Sequence, residues 1–222
     1  MRRLATAFAG ILLALSTAAT AQPQAGKQYR VLSEPQPSDT DKPTVIEFFS
    51  YACPHCHSFH PIIDDWANGV ADSVEVLHVP VTFGRDSWKL LARAYYVAKA
   101  LEVTDKTHGA LFAAIHNKGF RASSKGDIAD LYADVGVDRE EVMDAFDSFV
   151  VDMKVKRAAK MVRNYGVQRT PTMAVGGRYV TDPTSAGGQE AMLNVVDYLL
   201  AEKVGSKGSA RSASGGASDS EG

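Results

Sequence analysis

The chain has 222 residues, 24 basic against 26 acidic, for a formal charge of −2, and 45% of its residues are hydrophobic. That mild acidity gives no electrostatic footprint for nucleic acid, and the length suits one domain with a sizeable core and room for an inserted subdomain.

In chain order, Met1-Arg2-Arg3, a mostly apolar run from Leu4 to Leu15 and small residues ending Ala19-Thr20-Ala21 read as a secretory signal over residues 1–21, cut after Ala21. The apolar run is shorter than the about 20 residues of a spanning helix, so an exported, soluble protein is expected, with a retained anchor as the alternative. Without Arg2 and Arg3 the charge becomes about −4.

Thr44 to Ala52, TVIEFFSYA, is rich in β-branched and aromatic residues and predicts a central strand buried on both faces. It runs into Cys53-Pro54, and proline is favoured in the first turn of a helix, where its missing N–H is no loss. Cys56, Phe59, Ile62 or Ile63, and Trp66 then fall at helical spacing, with Pro61 predicting a kink. Val74 to Val81 predicts a second strand, making a parallel βαβ unit.

From about residue 85 to 165 the period changes to that of helices. Trp88, Leu91, Tyr95 and Ala98 share one face, and similar faces carry Phe112, Ile128, Val142 and Val155. Breaks are expected at Gly119, Gly126 and Gly136, and Asp138 with Glu141 offers a capping box. The strand pattern returns in TMAV after Thr170-Pro171, a Gly176-Gly177 hairpin turn and RYVT; a final helix is expected from about Ser185 to Leu200. The predicted fold is α/β, two β-containing halves flanking an all-helical insertion. Residues 204–222, rich in Ser and Gly, cannot bury enough surface to order and are expected to be a disordered tail. The domain itself is assigned to 22–203.

Cys53 and Cys56 are the chain's two cysteines. A bridge between them closes a loop of about four residues, where the entropic gain of a structural disulfide is smallest, so exchange is the better reading. CPHCH also matches a c-type haem attachment pattern, which needs His57 and a distal ligand such as Met143, Met153, Met161 or Met173. A metal module using Cys53, Cys56 and His57 or His60 is a third option, weakened by the lack of a second ligand pair. A strand-to-helix junction favours the dithiol: Cys53 at the helix N-terminus is stabilised as thiolate and attacks or leaves, and Cys56, one turn on, resolves. His55 is placed to add a hydrogen bond or positive charge to that thiolate. Glu47, a carboxylate costly to bury in an apolar strand, is expected to relay protons to Cys56, unless it points to a solvated edge. His57 and His60 are expected at the surface of the active-site helix, and His78 as a packed or hydrogen-bonded residue.

EFFSYACPHC, the helical insertion and GVQRTPTMAVGGRYV together resemble bacterial periplasmic disulfide oxidoreductases of the DsbA type, over nearly the whole chain after residue 21. The resemblance implies a thioredoxin-like fold with an inserted all-helical subdomain, and catalysis by Cys53, Pro54, His55 and Cys56 with Glu47 as the acidic residue. It further implies that Pro171 is cis and faces the cysteines, while Thr170 offers its backbone to an extended substrate. Its implied partners are unfolded exported proteins with cysteines and a quinone-linked membrane reoxidant of the DsbB type; no metal or organic cofactor is implied. A monomer is expected, since a disulfide isomerase would dimerise through an added domain not read in this sequence.

Overall fold

The computed structural model describes residues 22–38 and 40–205. The expected signal at 1–21 and all but the first two residues of the expected tail lie outside the described residues.

Strand β1, Arg30–Val31, precedes the buried strand β2, Thr44–Phe49, in which every residue is withdrawn from solvent. Helix α1, Pro54–Val70, follows and leads to β3, Glu75–Pro80. Five helices come next: α2 Asp86–Ala100, α3 Thr104–Asn117, α4 Lys125–Ala133, α5 Arg139–Phe146 and α6 Phe149–Asn164. The chain then returns to strands β4, Thr172–Val175, and β5, Tyr179–Thr181, and closes with α7, Pro183–Ala186, and α8, Gln189–Leu199. A π-helical turn, Leu200–Gly205, ends the described chain, and Val204 in it packs against the core, so the expected disorder does not begin at residue 204.

The strands form one mixed sheet in the order β1-β5-β4-β2-β3. β2 and β3 are parallel, as the strand-helix-strand pattern predicts, and β4 pairs antiparallel with both β2 and β5. One face of the sheet carries Val45, Met173 and Val175 against Phe59 and Ile63 of α1 and Met192, Val196 and Leu199 of α8. The other carries Ile46, Phe48, Val79 and Ala174 against Ala158 of α6, with Tyr165 beyond it. A third cluster belongs to the helices between β3 and β4 and reaches back to Phe49, Tyr51, Cys53 and Cys56. This is a thioredoxin-like fold with a helical insertion, and the two cysteines sit where its sheet meets that insertion.

Four local expectations need correction. The strand beginning at Thr44 ends at Phe49, because Ser50 turns the chain: its carbonyl accepts from the Cys53 N–H at 3.0 Å and its hydroxyl from the Ala52 N–H at 3.2 Å. Gly126 does not break a helix; it lies inside α4, whose start is fixed one residue earlier by Ser124 and Asp127 in a reciprocal capping box. Asp138 caps α5 by accepting from the N–H groups of Glu140 and Glu141, so the cap forms from its own side. The final helix is two helices, parted at Gly187 and Gly188 with φ of 95° and 144°, values closed to most side chains. α1, by contrast, runs unbroken through Pro61.

Candidate active site

Cys53 is the N-cap of α1, with φ −96° and ψ 116°, and Pro54 takes the next position, where an N–H would have no helical partner. No side-chain hydrogen bond caps this end, where unpaired N–H groups and the helix dipole favour an anion; the N–H groups of Cys56 and His57 each reach the Cys53 carbonyl at 3.1 Å. Cys56, one turn on, is fully buried, while Cys53 keeps 9% of its surface. Both are in the thiol state.

That difference in burial separates two chemically identical groups. The thiol of Cys56 donates to Cys53 and is the largest influence holding Cys53 down to about 5, outweighing its own burial; the Thr170 side chain and the backbone N–H groups of Cys56 and His55 add to it. Burial drives the Cys56 thiol far up, reinforced by its hydrogen bond to Cys53 and by the charge of Glu47. Near neutral pH the pair is therefore one thiolate and one thiol, with the anion on the accessible sulfur.

The Thr170–Pro171 peptide is cis. It places the Thr170 carbonyl 3.4 Å from the Cys53 sulfur, a contact made while Cys53 is a thiol and can donate. The loop is held by Thr172, whose hydroxyl donates to the Arg169 carbonyl at 2.9 Å.

Glu47 is 3% exposed, which excludes the solvated-edge alternative. It stands in register with His78 across the parallel β2–β3 pair, and its carboxylate oxygen lies 2.6 Å from His78 Nδ1. His78 thus meets its expectation as a hydrogen-bonded residue, and it keeps a fifth of its side-chain surface in an open groove with Thr40, Lys42, Asn68 and Glu75. Burial opposes its protonation, but the hydrogen bond and charge of Glu47 prevail and raise its pKa.

His55 is exposed, and its contribution to Cys53 comes through its backbone N–H. Its carbonyl accepts from Gln189 Nε2 at 2.7 Å and from the Ser58 hydroxyl at 3.1 Å.

The expectation that His57 and His60 stand at the surface is corrected. His57 stacks on His116 with ring centres 4.8 Å apart, and His60 stacks on Phe112 at 5.2 Å while meeting His108 edge-on at 4.8 Å. These contacts join α1 to α3, so a face that looks solvated along one helix is covered by a helix some fifty residues later. In the same seam the Tyr51 hydroxyl is hydrogen-bonded to His108 Nδ1 at 2.6 Å, and His116 Nε2 lies 2.7 Å from the Tyr51 carbonyl. Burial and the neighbouring His78 and His60 lower the pKa of His108 well below the ordinary histidine value. No three His, Cys, Asp or Glu side chains among the described residues converge as a metal site.

The sequence brings together Cys53, Pro54, His55, Cys56, Thr170 and Pro171 as expected, with Glu47 behind Cys56. It misses Gln189 and the pairing of Glu47 with His78. The second was legible once β2 and β3 were read as parallel neighbours, since both strands then align by simple count. Gln189 left no signal: it is one polar residue at a helix start.

The DSBA-like thioredoxin domain model matches residues 44–197. The chain is 39% identical over 205 residues to the thiol:disulfide interchange protein DsbA of Bordetella parapertussis, covering 89% of this chain and 97% of that protein. It is 35% identical over 193 residues to the DsbA of Burkholderia cepacia, covering 86% and 91%. Among solved structures, Pseudomonas aeruginosa DsbA aligns with a TM-score of 0.80 at 33% identity, over 83% of this chain and 96% of that one. The Xylella fastidiosa oxidoreductase DsbA aligns at 0.78 and 30%, over 83% and 100%.

Proposed function

The chain belongs to the DsbA-like thioredoxin domain family, and on that premise we propose how its site works as a disulfide donor. It is a thiol:disulfide oxidoreductase of proteins that carry cysteines. The observation that carries the assignment of roles is the asymmetry of the pair, an acidic, accessible Cys53 beside a buried Cys56 held as thiol.

In the oxidised enzyme a substrate thiolate attacks Cys53, forming a mixed disulfide and releasing Cys56 as a thiolate. Cys56 takes up a proton that comes from solvent, and Glu47, paired with His78 at the open groove, is the group placed to relay it. The substrate's second thiol gives up its proton and attacks its own mixed-disulfide sulfur, leaving the substrate bridged and Cys53 as thiolate. Two electrons pass from substrate to enzyme. Thr170 presents its backbone to the extended substrate beside Cys53.

The potential follows from the anion. Each pKa unit below ambient pH favours the reduced form by about 1.4 kcal/mol, or about 30 mV for a two-electron couple. A Cys53 pKa of about 5 therefore makes the disulfide about 60 mV more oxidising at pH 7 than a pair without that bias.

The wider reading is that residues 1–21 are a cleaved signal, that the chain from residue 22 through the turn ending at Gly205 works in the periplasm as one monomeric domain with a helical insertion, and that the Ser/Gly-rich residues after it are a tail outside it. The reduced enzyme is then reoxidised by a quinone-linked membrane protein of the DsbB type, and the substrates are newly exported, unfolded chains. This placement is supported by the leader-like sequence and by the family.

The test is Cys56→Ala, which keeps the attacking sulfur and removes the resolving one. Expressed with its leader, it accumulates mixed disulfides with exported proteins on non-reducing gels; a clean monomer overturns the roles given to the two cysteines. Thiolate absorbance of the reduced protein checks direction: a Cys53 that titrates near 8 overturns the oxidase assignment.

A further inference from the structure

The His55 carbonyl accepts hydrogen bonds from two side chains, Gln189 Nε2 at 2.7 Å and Ser58 Oγ at 3.1 Å. Those two side chains also bond each other at 3.0 Å. Gln189 belongs to α8, 134 residues away, and is brought here because Gly187 and Gly188 turn the chain between α7 and α8. The peptide unit that begins with the His55 carbonyl ends with the Cys56 N–H. That N–H donates to the Cys53 carbonyl at 3.1 Å, and it is one of the backbone groups that hold the Cys53 thiol down.

The two ends of a peptide unit are coupled by resonance, so donation to the oxygen strengthens the N–H as a donor and fixes the plane in which it points. We infer that Gln189 is a positioning residue for disulfide donation: by gripping the His55 carbonyl, it holds the Cys56 N–H against Cys53 in the first turn of α1 and so favours release of the disulfide. Ser58 assists from within α1. This rests on the proposed role of Cys53 as the attacking and leaving sulfur. It adds that part of the anion's stabilisation is supplied by a helix remote in sequence.

The test uses the full chain carrying Gln189→Met, which keeps the length and loses the donor, and Gln189→Glu, which offers only acceptors to a carbonyl. In Q189M the acid dissociation constant of Cys53 and the equilibrium constant for oxidising glutathione both fall by about threefold, half of a tenfold step. Q189E falls further, because its charge also opposes the thiolate. A Q189M or Q189E protein that melts at a lower temperature but titrates and equilibrates as wild type overturns the inference, since Gln189 would then only dock α8. The outcome is separable from the underlying reading: a wild-type Cys53 of ordinary acidity removes that reading, whereas an acidic Cys53 indifferent to Gln189 removes only this inference.

Discussion

His78 Nδ1 lies 2.6 Å from a carboxylate oxygen of Glu47, side by side in register on two parallel strands. Glu47 is 3% exposed and His78 faces a groove, so the pair spans from the buried side of Cys56 to solvent. Asp64 favours and Lys99 disfavours the imidazolium, and His108 faces it from α3. Because the pKa of His78 is raised, its pairing stabilises the fold fully below the ordinary histidine value and loses that contribution as pH rises through the raised one. Glu47→Ala leaves His78 without its partner and is expected to cost about 3 kcal/mol, with the histidine-dependent gain at low pH abolished, both read by urea denaturation across pH. Glu47→Gln keeps the shape and is expected to slow mixed-disulfide formation about tenfold in stopped-flow single turnovers, less than the roughly 10²–10⁴-fold of direct acid-base catalysis because the group acts through a relay. An unchanged rate there removes Glu47 from the proton path.

The acidity of Cys53 makes a second prediction, in which redox state and stability are one quantity. With a folded pKa of about 5 and an unfolded thiol near 8.5, the reduced protein gains stability that is full above the unfolded value and lost as pH falls through 5. At pH 7 that gain is about 3 kcal/mol at most, since solvent screens a partly open sulfur, and it is the same energy as about 60 mV of oxidising bias. Denaturation of the reduced and oxidised forms in parallel is expected to show the difference between them shrinking steadily from pH 8 to pH 5. A difference independent of pH contradicts the placement of the anion on Cys53.

Much of this was legible along the chain because it depends on local pattern. The apolar run into Cys53-Pro54 sets the strand-to-helix junction, and the change of period after residue 85 sets the insertion. What local pattern does not carry is which distant face covers which. His57 and His60 read as solvated until α3 is laid on α1, and Gln189 reads as an ordinary helix start until two glycines aim it at His55. The split of the last helix turns on the same point: Gly187-Gly188 breaks the periodicity for only two residues, yet their backbone angles decide where α8 begins.

The seam between α1 and α3 makes a third prediction, opposite in sign to that of His78. Burial lowers the pKa of His108, and it also lowers that of His57 with the help of His116 and His60. Groups depressed in this way contribute stability above the ordinary histidine value and lose it as pH falls. His108 is also the hydrogen-bond partner of the Tyr51 hydroxyl, which is otherwise buried. His108→Leu therefore trades two effects: it leaves that hydroxyl unpaired, costing about 1–3 kcal/mol at pH 8, and it removes an imidazole that resists protonation. Wild type and variant are expected to converge in stability as pH is lowered from 7 to 5. Parallel curves would mean that His108 does not titrate with unfolding.

The hairpin between β4 and β5 gives a prediction independent of the chemistry. Gly176 and Gly177 have φ of 56° and 67°, the twist that a two-residue hairpin turn needs. Gly177 also lies under the segment before β2: a Cβ there would stand 2.2 Å from the Gln36 carbonyl oxygen, whose residue in turn donates its N–H to the Gly177 carbonyl at 2.7 Å. Backbone cannot yield as the end of a flexible side chain can, so Gly177→Ala must break that bond or twist the turn. Its cost is expected to be about 3 kcal/mol, combining a left-handed alanine with a lost hydrogen bond. Gly84, whose φ is 75° with open space around it, provides the control: Gly84→Ala carries the conformational cost alone, about 1 kcal/mol. Equal losses in the two variants, measured by thermal melts of the reduced protein, would show that the Gln36 segment moves aside and contributes nothing to the hairpin.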